Sequence, residues 1–148
     1  MLEITQEPQI ASTVEQIKRC YGVMKQLRSH LKEDVFIEQI QRQIAAGYQL
    51  IYLEEAGEVV AVAGFRFLEF LAWGKVLYID GLVTDFEARG KGYGGKLIKW
   101  LIERAKVEKC DQVHLDGGPQ RHDAHRLYLN HGFKIIGYHF SLDRLKDS

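Results

Sequence analysis

From Ser12 onward, apolar side chains recur at Val14, Ile17, Tyr21, Met24, Leu27 and Leu31, and this three-and-four spacing predicts an amphipathic helix. Ser12 and Thr13 stand before it as candidate N-caps. A second helix is predicted after Asp34, with Phe36, Ile37, Ile40 and Ile44 inward and Gly47 as its stop. Then the period shortens. Tyr48–Leu53 and Val59–Phe70 are rich in β-branched and aromatic residues, and the turn Glu55-Ala56-Gly57-Glu58 makes them a hairpin. Trp73-Gly74-Lys75 turns the chain into another strand, Val76–Thr84.

The next predicted helix runs from about Gly92 to Lys109, with Leu97, Ile98, Leu101, Ile102 and Ala105 on one face. Gln112–Asp116 reads as a short strand directly after it. Strand, helix, strand is a βαβ unit, which implies parallel pairing through a right-handed crossover. A short helix, Asp123–Asn130, stops at Gly132 and leads to a final strand, Phe133–Leu142. Leu2–Glu7 adds an edge strand ended by Pro8. The order predicts an α+β fold: a central mixed, mostly antiparallel sheet, helices on both faces, and one βαβ crossover.

Composition narrows the function. A chain of 148 residues argues for one domain, 1–148. Its 20 Lys+Arg balance 20 Asp+Glu, which disfavours nucleic acid as a partner, because phosphate-backbone affinity needs a net basic surface. Cys20 and Cys110 cannot form a disulfide framework, so a reducing, cytoplasmic setting is expected. No apolar run approaches membrane-spanning length, and the first residues lack a basic segment followed by an apolar one. A membrane partner is not expected.

The unexplained feature is glycine. Seven of the 14 glycines lie between Gly81 and Gly118, densest in Arg89-Gly90-Lys91-Gly92-Tyr93-Gly94-Gly95-Lys96 between a strand and a helix. Open N–H groups at a helix N-terminus, bared by glycine and joined by Lys and Arg, form a phosphate site. A solvated turn needs only one or two glycines, and each extra one costs chain entropy. Gly90, Gly92 and Gly95 fit G-x-G-x-x-G, but that dinucleotide fingerprint belongs at the first strand of a βαβ fold. Gly90, Gly95 and Lys96 fit the start of a P-loop, yet Leu97 stands where a Ser or Thr must hold Mg²⁺.

The stretch Tyr78–Gly94 instead resembles the acetyl-CoA motif of the GNAT acetyltransferase superfamily, with Arg89, Gly92 and Gly94 at its fixed positions. A second family element, a helical Tyr followed four residues later by Gly-Phe, matches Tyr128, Gly132 and Phe133. The family's order of elements also matches the predicted one. The resemblance implies an N-acetyltransferase that moves the acetyl group of acetyl-CoA directly to an amine in a ternary complex. It implies that Gly90–Gly95 cradle the CoA pyrophosphate, with Arg89, Lys91 and Lys96 adding charge and Tyr93 in the same loop. The pantetheine arm is then expected on the strand edge at Leu82, Val83 and Thr84, beside a bulge at Gly81. The Val83 N–H becomes the oxyanion donor, and Tyr128 the donor to the leaving thiolate. No metal is implied.

Asp80 interrupts an apolar strand nine positions before Arg89, where some polyamine-type members of the family carry a catalytic Glu. A strand-interior carboxylate marks either a cleft or a salt bridge. It is the candidate base, with Glu69 and Asp116 as weaker alternatives; pairing with a nearby Arg or Lys is the competing reading. Alternation groups Tyr78, Asp80 and Leu82 on one face and Ile79, Gly81 and Val83 on the other. Cys20 and Cys110 are read as packing and helix-end residues, not nucleophiles. Arg121 replaces the Asn that the family often carries before the last helix, within a basic run that offers phosphate contacts. His122 and His125 share helical spacing, but no metal pattern supports them.

The acceptor is expected to be a small amine or an amino-terminal group. Its predicted approach is past Ser29–Asp34 and the aromatic residues Phe67, Phe70, Trp73 and Tyr138, where a cation meets rings. A homodimer is compatible with this reading. The alternative is a non-catalytic acyl-CoA-binding regulatory module.

Overall fold

In the computed structural model, which describes residues 6–117 and 122–146, Thr13 opens the first helix, α1 (Val14–Leu27), through a capping box. The Gln16 N–H donates to the Thr13 hydroxyl at 3.1 Å, and the Thr13 N–H donates to the Gln16 carboxamide at 3.1 Å. Two donors that the helix start leaves open are thus satisfied reciprocally. The apolar spacing continues to Leu31, but the helix ends sooner, with Arg28 as its C-cap. Leu31 is instead held by Tyr21, whose hydroxyl donates to its carbonyl at 2.8 Å. The second helix, α2 (Glu33–Ala45), ends in a Schellman motif. Gly47, at φ +106°, donates to Ile44 at 3.1 Å, and Tyr48 donates to Gln43 at 2.9 Å. This exit fixes where Tyr48 enters the sheet.

Five strands form one sheet in chain order: β1 (Gln9–Ile10), β2 (Gln49–Glu55), β3 (Glu58–Phe70), β4 (Gly74–Thr84) and β5 (Gln112–Leu115). The first three junctions are antiparallel, and β4–β5 is parallel across helix α3 (Tyr93–Val107). Ala56 and Gly57, at φ 52° and φ 81°, make the β2–β3 turn, the left-handed pair that matches strand twist. The expected edge strand Leu2–Glu7 lies largely outside the described residues; a short edge strand, β1, follows Pro8, where proline can stand just before a strand.

α1 and α2 cover one face of the sheet. Ile17, Cys20, Met24, Phe36 and Ile40 pack there with Leu50, Tyr52, Val62 and Val83. α3 covers the other face with Leu97, Ile98 and Leu101 fully buried, and its Trp100 meets Phe65 at 6.0 Å between ring centres. Each such buried side chain contributes about 1.5–3 kcal/mol, which holds the two helical layers to the sheet.

The chain divides into two compact units, one up to Leu115 and one from Asp116. In the second, α4 (His122–Asn130) stops at Gly132, whose φ is +91° and whose N–H donates to Leu129 at 3.1 Å. The expected strand Phe133–Leu142 is not formed: residues 133–144 carry no regular structure. β-propensity makes no strand without a neighbouring ladder, and no other strand lies among the described residues of this unit.

Candidate functional site

The site is built on an irregularity in β4. Ala63 pairs with Leu82 and Phe65 pairs with Ile79, so Asp80 and Gly81 together stand opposite Gly64. This is a β-bulge, and Gly81 adopts φ +102°, which side-chain-bearing residues resist. The bulge expected at Gly81 is present, but it corrects the assignment of faces. One extra residue reverses the alternation beyond it, so Asp80 and Val83 lie toward α1 and α2, while Ile79 and Leu82 lie toward α3.

The parallel pairing stops at the same place. β5 follows β4 from Val76 to Ile79 and no further, whereas Val83 and Thr84 remain paired with Val62 and Ala61 of β3. Past the bulge, β4 leads through Asp85 and a single 3₁₀ turn, Phe86–Ala88, into the glycine loop. Gln26 of α1 pins this passage: its carboxamide donates to the Asp85 carboxylate at 2.7 Å and accepts from the Phe86 N–H at 2.8 Å. Sequence reasoning gave Gln26 no role, because its partners are about sixty positions away.

Gly90 and Gly92 take φ +80° and φ +88°, and Gly92 caps α3. A Cβ on Gly90 would meet nothing within 4 Å, so the demand there is conformational rather than spatial. No side chain caps α3, and its first turn holds no acidic residue. The first-turn N–H groups, from Tyr93, Gly94 and Gly95, therefore form a positive end of the kind that takes phosphate. Arg89 is exposed, with its guanidinium 5.4 Å from the Phe86 ring centre, and Lys91 is exposed beside it. Lys96 is turned to Glu7 at 2.9 Å, a surface pair worth at most about 1 kcal/mol. An uncapped glycine helix start, following a β4 end that has no parallel partner strand beyond Ile79, is a fit for a pyrophosphate with an extended arm.

On the α1–α2 face a cleft of about 240 Å³ opens beside Asp80. The Asp80 oxygens lie 3.9 Å from Arg28 and 3.5 Å from Arg66, both partly exposed and both longer than a good hydrogen bond. The salt-bridge reading of Asp80 and the cleft reading therefore hold together. Tyr48, which sequence reasoning treated as a strand residue only, also lines the cleft and is 3% exposed. Its ring lies 5.4 Å from the Arg66 guanidinium, and its phenol fills the space that a Gly64 side chain would need. Burial, then the charge of Asp80, pushes the Tyr48 phenol well above its ordinary range, so it stays a neutral donor.

Of the expected approach Ser29–Asp34, His30 and Leu31 line the cleft wall, with Arg28 just before them. The expected aromatic wall is not. Phe67 follows Phe65 onto the α3 face, edge-on at 5.9 Å, because a strand's period of two puts these residues together. Trp73 stacks on His114 at 4.1 Å and meets Phe70 tilted at 4.9 Å, and none of these rings lines the cleft. Glu69 is exposed opposite Lys75.

In the second unit, Tyr128 is 6% exposed on α4, with the Phe133 ring at 6.2 Å. Asp116 approaches His139 at 3.4 Å, and Tyr138 is exposed. Arg121 lies outside the described residues. Burial pushes the Cys20 thiol up to about 12 and also raises that of Cys110, so neither is a ready nucleophile.

The Acetyltransferase (GNAT) family matches residues 12–133. An uncharacterized N-acetyltransferase of Bacillus subtilis is 31% identical over 128 residues, covering 85% of this chain and 90% of its own. An aminoalkylphosphonate N-acetyltransferase of Salmonella typhimurium is 33% identical over 63 residues, 43% of this chain and 41% of its own. Among solved structures, a transcriptional regulator of Bacillus halodurans superposes with a TM-score of 0.81 at 25% identity, covering 94% of this chain and 99% of its own. With a family match that spans both the glycine loop and α4, the chain belongs to the GNAT acetyltransferase family.

Proposed function

We propose that this protein is an N-acetyltransferase working as one domain over residues 1–148, in which acetyl-CoA and a small amine or amino-terminal group meet across the β4 bulge. The observation that carries the reading is the placement of two openings on one strand. The stretch of β4 beyond Ile79, which β5 does not pair, and the uncapped start of α3 serve one side of the bulge, and the Asp80 cleft serves the other. Acetyl-CoA supplies the thioester when bound. Arg89 and the loop Gly90-Lys91-Gly92-Tyr93-Gly94-Gly95-Lys96 would hold its pyrophosphate, and Leu82, Val83 and Thr84 its amide-rich arm. Arg121 would add charge near the same ligand.

The Val83 N–H is the expected oxyanion donor, but the Asp85 N–H donates to Val60, and the same register turns the Val83 N–H toward Val62. The thioester carbonyl oxygen would instead take a backbone N–H from the opposite edge of β4, where a fixed donor favours developing negative charge. Asp80 attracts the acceptor's ammonium and, with water, takes its proton. Tyr128 donates a hydrogen bond to the departing sulfur. Full transfer from a phenol near pKa ~10 to a thiolate near ~8.5 is uphill by about 2 kcal/mol, so the hydrogen bond comes first and the proton late. The salmonella relative's name, which specifies an aminoalkyl compound, supports a small amine as acceptor. Two free cysteines fit a reducing, cytoplasmic setting. Calorimetric titration with acetyl-CoA tests the donor half of this reading. Binding by the wild type, weakened about tenfold or more in Gly92→Val, supports it; no binding by the wild type contradicts it. A non-catalytic acyl-CoA-binding module would bind in the same way but release no CoA in the presence of any amine.

A further inference from the structure

The charges around Asp80 do not balance, and the imbalance identifies what the acceptor carries. Arg66 is already engaged, 3.5 Å from Asp80 and 5.4 Å from the Tyr48 ring centre. Arg28 makes a looser approach, 3.9 Å from the other carboxylate oxygen. No other ionic or hydrogen-bonding partner of Arg28 is found among the described residues. Two guanidiniums against one carboxylate leave a positive excess at a small cleft. His30 stands on the same wall, while Gln39 and Gln43 add neutral amides.

A second observation is independent of charge. Tyr48 lines the cleft, and its hydroxyl, which makes no hydrogen bond among the described residues, is not sealed from the cleft. A bound acceptor oxygen would give this hydroxyl a partner in place of water. A purely cationic amine satisfies neither feature: it is repelled by the excess charge and offers the phenol no acceptor atom. A molecule with an amine at one end and an oxyanion at the other satisfies both.

We propose that the amine acceptor carries a carboxylate or a phosphorus oxyanion, bound by the Arg28 guanidinium and the Tyr48 hydroxyl while its amine faces Asp80. The inference rests on the acetyl-transfer reading for its chemistry but not for its binding geometry. The cleft volume of about 240 Å³ is below that of drug-sized pockets, so the molecule is small. Arg28 lies at the end of α1 in a turn tied by the Tyr21–Leu31 bond, which holds the guanidinium near the bulge. It is a specificity residue that neighbours Asp80 but does not itself take the proton.

The test uses the whole protein with CoA bound and three matched ligands: γ-aminobutyrate, 3-aminopropylphosphonate and n-butylamine. Calorimetry reads binding and thiol release from acetyl-CoA reads transfer. The expected result is that at least one oxyanion-bearing amine binds about tenfold or more tightly than n-butylamine. Arg28→Gln removes that preference, and Arg28→Lys restores part of it, because lysine keeps the charge without the fork. The carboxylate and phosphonate arms show which oxyanion the cleft takes. Binding of an oxyanion amine that Arg28→Gln weakens supports the inference even if no acetyl group moves, and it then counts against acetyl transfer alone. Tighter binding of n-butylamine, a preference that survives Arg28→Gln, or no binding of either oxyanion amine at about 10 mM overturns the inference.

Discussion

Tyr48 lays its phenol across Gly64, in the space where any larger residue would place its side chain. Because Gly64 is the residue opposite the Asp80–Gly81 bulge, this contact ties the exit of α2 to the irregularity on which the site is built. Gly64→Ala is expected to destabilise the fold by about 1–3 kcal/mol, the usual cost of overpacking. Urea unfolding measures it. Combining Gly64→Ala with Tyr48→Ala should cost less than the two single changes added together, since the clash disappears with the ring. Additive costs would show that the phenol does not press on this backbone.

Gly92 caps α3 at φ +88°, and a β-branched residue there must adopt a strained backbone or pull the helix start out of place. Gly92→Val should lower stability by about 1–3 kcal/mol and weaken CoA binding more than a comparable change on the far end of the helix. Thermal unfolding and calorimetry on the same sample separate the two effects.

Much of this site was readable from local chemistry. The glycine loop, the Gly47 and Gly132 stops, the Ala56-Gly57 turn and the Gly81 bulge all follow from backbone angles that glycine favours. What lay beyond reach depends on distant partners. The bulge reverses the alternation beyond Asp80, so Leu82 and Val83 fall on the faces opposite to those expected. Tyr48 reads as an ordinary strand tyrosine until the Schellman turn sets it against Gly64. Phe67 looked suitable for a cation, yet register sends it to the α3 face. Phe133–Leu142 has strand composition, but composition supplies no ladder partner.

Tyr128→Phe keeps a ring that can still face Phe133, so the variant should fold, with its stability measured alongside. The role assigned to its hydroxyl predicts a fall in acetyl transfer of about tenfold or more, with acetyl-CoA binding unchanged. A steady-state assay and calorimetry check this together. Equal loss of binding and transfer would make Tyr128 a packing residue only.

Alkaline pH should weaken the fold through Cys20. Burial raises its thiol from 9.0 to about 12, so the folded state keeps a proton that the unfolded state releases earlier. The folded state therefore binds more protons across that window, and its stability falls as pH rises through it, by up to about 1.4 kcal/mol per unit. Tyr48, raised in the same direction, adds to the loss at higher pH. Urea midpoints at about pH 8 and pH 10 measure the slope, which Cys20→Ala should flatten. A thiol reagent at about pH 8 should reach Cys110 and spare Cys20 until the chain unfolds.

The central claim is that the two openings beside the β4 bulge bring an acetyl thioester and an amine together. Its most direct test is single-turnover mixing of the protein with acetyl-CoA and a panel of small amines, monitored by released thiol and by mass spectrometry of the acceptor. The account predicts thiol release matched mole for mole by an N-acetylated amine, with no acetylated protein intermediate. Thiol release without an acetylated amine, or acetyl groups retained on Cys20 or Cys110, would contradict it.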